Sequence, residues 1–196
     1  MHKNPKALSA IVLAAGTSRR MGVDNKLLAT VNGKLMIARV VENLPPGLFG
    51  HVIVVTGYQR AEVEQALTGY DVRFVHNVDY QEGLATSLAT GLRAVKDQTK
   101  GVLVALGDMP LISQDVVVDL VRAFELDSDI CAPSFANKRG NPVLWGRQYF
   151  QALQSITGDK GGRDLLGKYR SKLKLIDVDC NGVLMDFDTK HSLDML

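Results

Sequence analysis

Short continuous runs of hydrophobic residues alternate along the chain with stretches in which hydrophobic positions recur at helical spacing. Apolar runs of a few residues that end in turn residues are typical of buried strands. They predict strands at residues 7–15, 51–56, 72–75, 101–106, 130–132, 142–144 and 173–178. The helical spacing predicts helices at residues 35–44, 61–67, 86–95, 114–126, 164–169 and 189–196.

This order of elements predicts an α/β protein with a mostly parallel sheet that is covered by helices on both faces. Right-handed crossovers then give a three-layer α/β/α sandwich, which we expect to form one domain over residues 1–196. Ser113 is the expected N-cap of the helix at 114–126, and residues 136–141 are expected to form an exposed hairpin or loop. In such sheets ligands bind beyond the carboxyl ends of the strands.

Composition narrows the classes of function. The chain has 196 residues with 23 Lys+Arg against 21 Asp+Glu, and a net charge of +2 gives no electrostatic support for binding nucleic acid or a membrane surface. No apolar run approaches the ~20 residues of a membrane span.

Lys3 and Lys6 before the first apolar run imitate a signal peptide, but no cleavage site follows and a buried first strand is favoured. Cys131 and Cys180 form no CxxC pattern, so we expect a reduced, cytoplasmic compartment.

A loop rich in small residues follows the first predicted strand and reads LAAGTSRRMG from Leu13 onward. Small residues let the backbone approach a ligand, and successive N–H groups can surround a phosphate. Arg19 and Lys26 would add positive charge to the same anion. The loop is neither a Walker A motif nor GxGxxG. By itself it is also compatible with a tight turn that carries solvated arginines.

Two acidic segments are further candidates. Asp108, within Gly-Asp-Met-Pro, directly follows a buried strand, and a carboxylate in that position suits a hard cation such as Mg²⁺. Asp186 and Asp188 lie two residues apart on a segment near the end of the sequence, so their side chains are expected to point the same way. The structural alternatives are that Asp108 only caps a turn and that Asp188 or Thr189 N-caps the last helix.

Together the three segments resemble the nucleotidyltransferases related to the molybdenum cofactor enzymes, with Arg20 in the arginine position of an Arg-Met-Gly triplet. The cytidylyltransferase branch is the more similar one. Its loop resembles Leu-Ala-Ala-Gly, as here, where the guanylyl branch resembles Leu-Ala-Gly-Gly. The segment at residues 140–144 is similar to Gly-His-Pro-Val-Leu of the same branch, with Asn141 in place of the histidine.

The resemblance implies a Rossmann-type fold like that of the nucleotide-diphospho-sugar transferases, and CTP and Mg²⁺ as ligands. The nucleotide-binding residues that it implies are Leu13, Ala14, Ala15, Gly16, Arg19, Lys26, Gly83 and Ser87. The last two belong to a Gly-x-x-x-Ser segment that reads the pyrimidine. The implied catalytic residues are Arg19, Lys26 and Asp108. The implied metal ligands are Asp108 and Asp188, with Asp186 as the alternative to Asp188.

The activity implied by the resemblance is transfer of CMP from CTP to a phosphorylated acceptor, molybdopterin, with release of pyrophosphate; an apo-molybdoenzyme would be a partner. Residues 158–163 are either a loop that closes on the acceptor phosphate through Lys160 and Arg163 or a plain surface loop. The alternatives are a guanylyltransferase, a sugar- or alcohol-phosphate cytidylyltransferase and a non-catalytic cofactor carrier. A redox dinucleotide-binding protein is disfavoured because GxGxxG is absent and no acidic residue follows the second strand.

Overall fold

The computed structural model of the protein describes residues 7–17, 25–125, 128–159 and 162–187. Ten strands lie in these residues. They are β1 Leu8–Ala14, β2 Thr30–Val31, β3 Lys34–Leu35, β4 His51–Thr56, β5 Arg73–His76, β6 Gly101–Leu106, β7 Ile130–Phe135, β8 Lys138–Arg139, β9 Val143–Gly146 and β10 Leu173–Asp177. Six α-helices lie there too: α1 Met36–Glu42, α2 Arg60–Ala66, α3 Leu84–Arg93, α4 Gln114–Ala123, α5 Phe150–Gln154 and α6 Arg163–Lys168.

The central sheet has the strand order β10-β7-β9-β6-β1-β4-β5, and β8 pairs with β7. β1 lies in the middle, parallel to both β4 and β6, and the pairs β4–β5 and β7–β10 are parallel as well. β9 runs antiparallel to its neighbours β6 and β7. The prediction of a mostly parallel sheet is therefore confirmed. The exceptions are β9, which is inserted between two parallel sets, and the short β8, which is antiparallel to β7.

Two hydrophobic cores cover the two faces of the sheet. Side chains alternate along β1, so that Ala10, Val12 and Ala14 pack with α1, α2 and α4. Ile11 and Leu13 point to the other face and pack with α3, α5 and α6. This alternation within a continuous apolar strand is what a sheet buried on both sides requires, and the arrangement is the three-layer sandwich that the sequence predicts.

The structure contains elements that the sequence pattern did not predict. The β2–β3 hairpin was not predicted; its turn residues Asn32 and Gly33 both have positive φ, 47° and 78°, as a two-residue hairpin turn demands. α5 was also missed, because five residues are too few to show a helical period.

The end of the predicted helix at 114–126 also differs, since α4 ends at Ala123 and Phe124 is extended and buried. Ser113 occupies the N-cap position of α4, but its side chain makes no capping hydrogen bond.

Residues 136–141 contain a hairpin between β7 and β8, which turns through Ala136 and Asn137 in left-handed conformations. The helix predicted at 189–196 lies outside the described residues. Within the described part of the chain no helix is both long and apolar enough to cross a membrane.

Candidate active site

A cavity of about 540 Å³ opens at the carboxyl ends of β1 and β6. The two strands are neighbours in parallel register, with Leu13 opposite Leu106. The Gly107 amide donates a hydrogen bond to the Leu13 carbonyl at 3.0 Å, which joins the turns that follow the two strands. The phosphate-loop candidate and the Asp108 candidate, more than ninety positions apart in the sequence, thus meet at one edge of the sheet.

The β1 loop forms one wall of the cavity. Leu13, Ala15 and Gly16 line it, together with Thr17. A Cβ placed on Gly16 would meet no atom within 4 Å, so the backbone there is open to a ligand. Ala14 does not line the cavity, because its side chain packs in the core of the opposite face. Arg19 and Arg20 lie outside the described residues.

Lys26 and Asp108 form an ion pair inside the cavity. Lys26 Nζ donates to Asp108 Oδ2 at 2.6 Å, and their side chains are only 14% and 19% exposed. Lys26 begins a short 3-10 turn whose N-cap is Asn25, and the Asn25 side chain accepts a hydrogen bond from the Leu27 amide at 3.1 Å. A cation and a carboxylate are therefore fixed side by side in the wall of the cavity.

The segment that contains Asp186 is tied to the Asp108 turn through the backbone. The buried amide of Phe187 donates to the Asp108 carbonyl at 3.2 Å. Asp186 itself is exposed and does not line the cavity, and Asp188 lies outside the described residues. Among the residues that the structure describes, no three His, Cys, Asp or Glu side chains cluster as a metal site.

The segment at residues 140–144, whose sequence resembles the cytidylyl branch, follows the β7–β8 hairpin at the same end of the sheet. The Asn141 amide donates to the Val183 carbonyl at 2.9 Å, which ties this segment to the turn Asn181–Leu184. Burial lowers the pKa of the neighbouring Arg139 guanidinium, and the positive charge of Arg163 lowers it further. Neither arginine lines the cavity.

The opposite wall of the cavity is the start of α3. Gly83 and Ser87, which the resemblance implies for a base pocket, line this wall, and Ser87 is 3% exposed. Gly83 has φ +114°, and a Cβ there would lie 2.5 Å from Asp159 Oδ1 and 2.8 Å from the Gly158 carbonyl carbon. Only glycine fits this close approach without strain.

Some lining residues were not predicted as site residues: Leu27, Tyr80, Gln81, Leu84, Leu106 and Asp159. Asp159 Oδ1 accepts a hydrogen bond from the Leu84 amide at 3.3 Å, and the Gly158 carbonyl accepts from the Ala85 amide at 3.0 Å. Residues 158–159 therefore cap the start of α3 from 75 positions away in sequence. The loop that was expected to close on the acceptor thus reaches the α3 wall of the cavity through Asp159. Lys160 lies outside the described residues, and Arg163 begins α6 away from the lining.

An open cavity at the carboxyl edge of a mostly parallel sheet, with a glycine loop, a lysine and a carboxylate, defines the class of α/β nucleotide-binding proteins. A family model described as the MobA-like NTP transferase domain matches residues 10–173, and the chain belongs to this nucleotidyltransferase family. The resemblance seen in the sequence is thereby confirmed for the family, whereas the molybdenum cofactor branch stays a prediction.

Similar proteins agree with this assignment. The chain is 33% identical over 162 residues to the bifunctional protein GlmU of Francisella tularensis subsp. holarctica, an alignment that covers 81% of this chain and 34% of GlmU. The chain thus spans about a third of the length of the curated relatives it matches.

Among solved structures, a homologue of Mycobacterium tuberculosis Rv0371c from Mycobacterium sp. strain JC1 has a TM-score of 0.85 and 28% identity, covering 97% of this chain and 94% of that one. A nucleotidyl transferase from Methanothermobacter has a TM-score of 0.83 and 25% identity, covering 96% and 95%.

Proposed function

We propose that the protein transfers the CMP moiety of CTP to a phosphorylated acceptor of the molybdopterin type and releases pyrophosphate. The observation that carries the proposal is that Gly16, Lys26, Asp108, Gly83 and Ser87 all line one cavity. Its volume of about 540 Å³ lies in the range of sites that hold a small ligand. The glycine loop and Lys26 would lie along the triphosphate, and Gly83 and Ser87 would lie beside the base.

On the triphosphate side, the Gly16 backbone and the Lys26 ammonium are the groups that would neutralise phosphate charge, with Arg19 as a further cation. Preorganised donors that face developing charge are the main source of catalysis in such transfers. Lys26 already points at Asp108 across 2.6 Å, which restricts its rotamer before a nucleotide binds. Part of the conformational entropy of the Lys26 side chain is thus already lost on folding, so less is lost when the nucleotide binds.

A divalent cation fits this donor set. Nucleotidyltransferases of this family typically use divalent metals. Mg²⁺ usually takes one or two protein carboxylates and completes its shell with waters and substrate phosphates, and Asp108 supplies one partly exposed carboxylate in the cavity. We propose Asp108 and Asp188 as its ligands, and the backbone bond of Phe187 to Asp108 supports this choice. The cation would supply charge neutralisation at the reacting phosphates.

The transfer itself needs little chemistry from side chains. A phosphate oxygen of the acceptor attacks the α-phosphorus of CTP, the bond from that phosphorus to the bridging oxygen of the β-phosphate breaks, and pyrophosphate leaves with that oxygen. The attacking oxygen is already ionised at neutral pH, so no general base is required. The protein would hold the attacking oxygen in line with the bond that breaks and would offset the negative charge of the phosphates.

The close packing of Ala15 in the cavity wall favours CTP over GTP. It is 3% exposed, lines the cavity, and packs so closely on Gly57 that a Cβ on Gly57 would lie 2.8 Å from the Ala15 Cβ. The cavity wall at Ala15 therefore has little space to move back and make room for a two-ring base. Steric rejection of a purine can exceed the ~1–3 kcal/mol that one methylene contributes to discrimination.

Pyrophosphate release tests the proposed activity. The full chain is incubated with Mg²⁺ and CTP, GTP or ATP, with and without molybdopterin. We expect release only with the acceptor present and with CTP preferred more than tenfold over GTP, as the Ala15 wall requires. A preference for GTP would assign the guanylyl alternative. No release with any triphosphate, combined with retention of molybdopterin on the protein, would indicate the non-catalytic carrier.

A further inference from the structure

A buried asparagine stands directly behind Ser87. Asn77 follows β5, is 2% exposed, and donates its backbone amide to the Thr56 carbonyl at 2.8 Å. Its side-chain Nδ2 donates to Thr86 Oγ1 at 2.9 Å and to Ser87 Oγ at 3.0 Å. Asn77 does not line the cavity, but one of the residues it holds does.

The direction of these hydrogen bonds is fixed by the other end of the amide. Asn77 Oδ1 accepts a hydrogen bond from the Asp79 backbone amide at 3.1 Å. A flipped Asn77 would place its NH₂ group against that N–H, two donors facing each other. The Thr86 hydroxyl agrees with this polarity, because its own proton has the Asp79 and Gly83 carbonyls as acceptors, each at 2.9 Å. Nδ2 is therefore the end that faces Ser87.

The direction of the hydrogen bond from Asn77 determines which hydrogen bond the Ser87 hydroxyl can make with a ligand. Its oxygen already accepts from Asn77, and in the described part of the chain no acceptor takes its proton. A buried hydroxyl that donates to nothing loses free energy. The Ser87 oxygen keeps a second lone pair, but a ligand donor placed there would leave the Ser87 proton without an acceptor, so an acceptor atom of the ligand is favoured at Ser87.

We infer that Asn77 is a positioning residue that makes the Ser87 hydroxyl a hydrogen-bond donor to the base and thereby selects cytosine over uracil. The ring nitrogen N3 of cytosine is an acceptor, whereas N3 of uracil carries a hydrogen and would face the Ser87 proton. Because O2 is an acceptor in both bases, the inference places N3, and not O2, at the Ser87 hydroxyl. The inference rests on the proposed function in one respect, namely that this cavity binds a pyrimidine nucleoside triphosphate. It goes beyond it by assigning the choice between the two pyrimidines to a residue outside the cavity.

The test is the ratio of CTP to UTP affinity, measured by isothermal titration of the full chain in the presence of Mg²⁺. We expect the native protein to prefer CTP about tenfold, the size of one hydrogen bond gained instead of two donors opposed. Asn77→Asp keeps the bond from the Asp79 amide but turns the other end into an acceptor, which the Ser87 proton would then face. The preference should fall to one or reverse toward UTP.

Three further variants separate this role from a merely structural one. Ser87→Ala should bring the ratio to about one, and adding Asn77→Asp to Ser87→Ala should leave the ratio where it was, because the coupling needs the hydroxyl. Gln81→Glu adds the same charge to the cavity wall without touching Ser87, so it should weaken CTP and UTP by the same factor. Should Asn77→Asp fail to fold, Asn77→Ala serves in its place, with the preference lowered but not reversed.

The outcomes are distinguishable. If no nucleoside triphosphate binds the native protein, the proposed function is contradicted, and this inference with it. If CTP binds and the ratio stays unchanged in Asn77→Asp or Asn77→Ala, the inference alone is overturned. The same holds if Asn77→Asp shifts the ratio equally in the Ser87→Ala background.

Discussion

At the scale of single residues, Asp108 is the side chain on which the proposed chemistry depends most. Its carboxylate is paired with Lys26 at 2.6 Å and remains part of the cavity wall. Asp108→Asn keeps the shape and removes the charge, so we expect turnover to fall at least about 10²-fold with little change in folding. Steady-state pyrophosphate release measures the first effect, and thermal unfolding the second.

A matched control is available for Asp108. Asp186→Asn removes the same charge from an exposed position outside the lining and should keep activity near the native level. If Asp108→Asn stays active while Asp186→Asn is inactive, the metal ligands have been assigned to the wrong carboxylates.

Gly83 gives a second prediction at this scale. A Cβ there would press on Asp159 and Gly158, at φ +114°. Gly83→Ala should therefore lower the free energy of unfolding by about 1–3 kcal/mol and weaken nucleotide binding, because it displaces the residues that cap α3.

Gly167→Ala is the control for this glycine. It lies in α6 with nothing within 4 Å of an added Cβ, so it should be neutral or stabilise by up to about 1 kcal/mol. Equal effects of the two substitutions in urea unfolding would contradict the account of Gly83.

Site residues that directly follow strands could be predicted from the sequence. Contacts between residues far apart in the sequence could not. Gly16 and Asp108 were predicted because each directly follows a buried strand, and strand ends in a parallel sheet gather at one edge. The pairing of Lys26 with Asp108 and the capping of α3 by Asp159 join positions 82 and 75 apart. No local pattern encodes such contacts, since they depend on how the crossovers place their loops.

At the scale of elements, the end of α4 is held to the sheet by a small ionic cluster. Asp129, 7% exposed, accepts from the Glu125 amide and from Lys174 Nζ, both at 2.9 Å. Lys174 lies on β10, so this cluster joins an edge strand to the helix that covers it. The hydrogen bond from Lys174 to Asp129 is the main reason that the pKa of Lys174 is raised.

The raised pKa of Lys174 predicts a pH dependence. Because folding favours its protonated form, its contribution is fully present below the ordinary pKa of 10.5 and is lost as pH rises through the raised value. Lys174→Met should lower the free energy of unfolding by about 1 kcal/mol at pH 8, since the side chain is partly exposed. Thermal unfolding of the native protein and of Lys174→Met, measured from pH 8 to pH 12, should show that the difference in their stability shrinks above pH 10.5. A difference that stays constant with pH would contradict this role.

Element boundaries show what hydrophobic pattern can and cannot predict. β4 and β6 were predicted with the bounds that the structure gives them, because each is a continuous apolar run ended by a turn residue. α4 ends three residues early since Phe124 leaves the helix to fill the core. The β2–β3 hairpin escaped prediction even though Asn32-Gly33 is a typical turn pair, because two-residue strands have no visible period.

At the scale of the whole molecule, the fold is built on a sheet whose centre is β1, flanked by β4 and β6, and the family model matches residues 10–173. We expect the acceptor to be selected by the loops around the cavity and not by the sheet. We propose that the choice of cytosine depends on particular side chains, Ala15 against purines and the Asn77–Ser87 pair against uracil.

A crystal structure of the chain with a non-hydrolysable CTP analogue and Mg²⁺ tests the central claim most directly. The account predicts the triphosphate beside Gly16 and Lys26, the Asp108 carboxylate at the cation, and the cytosine between Ala15 and Ser87. Electron density for the nucleotide in any other part of the molecule, or in this cavity with its base at Asp108 and its phosphates at Ser87, would contradict it.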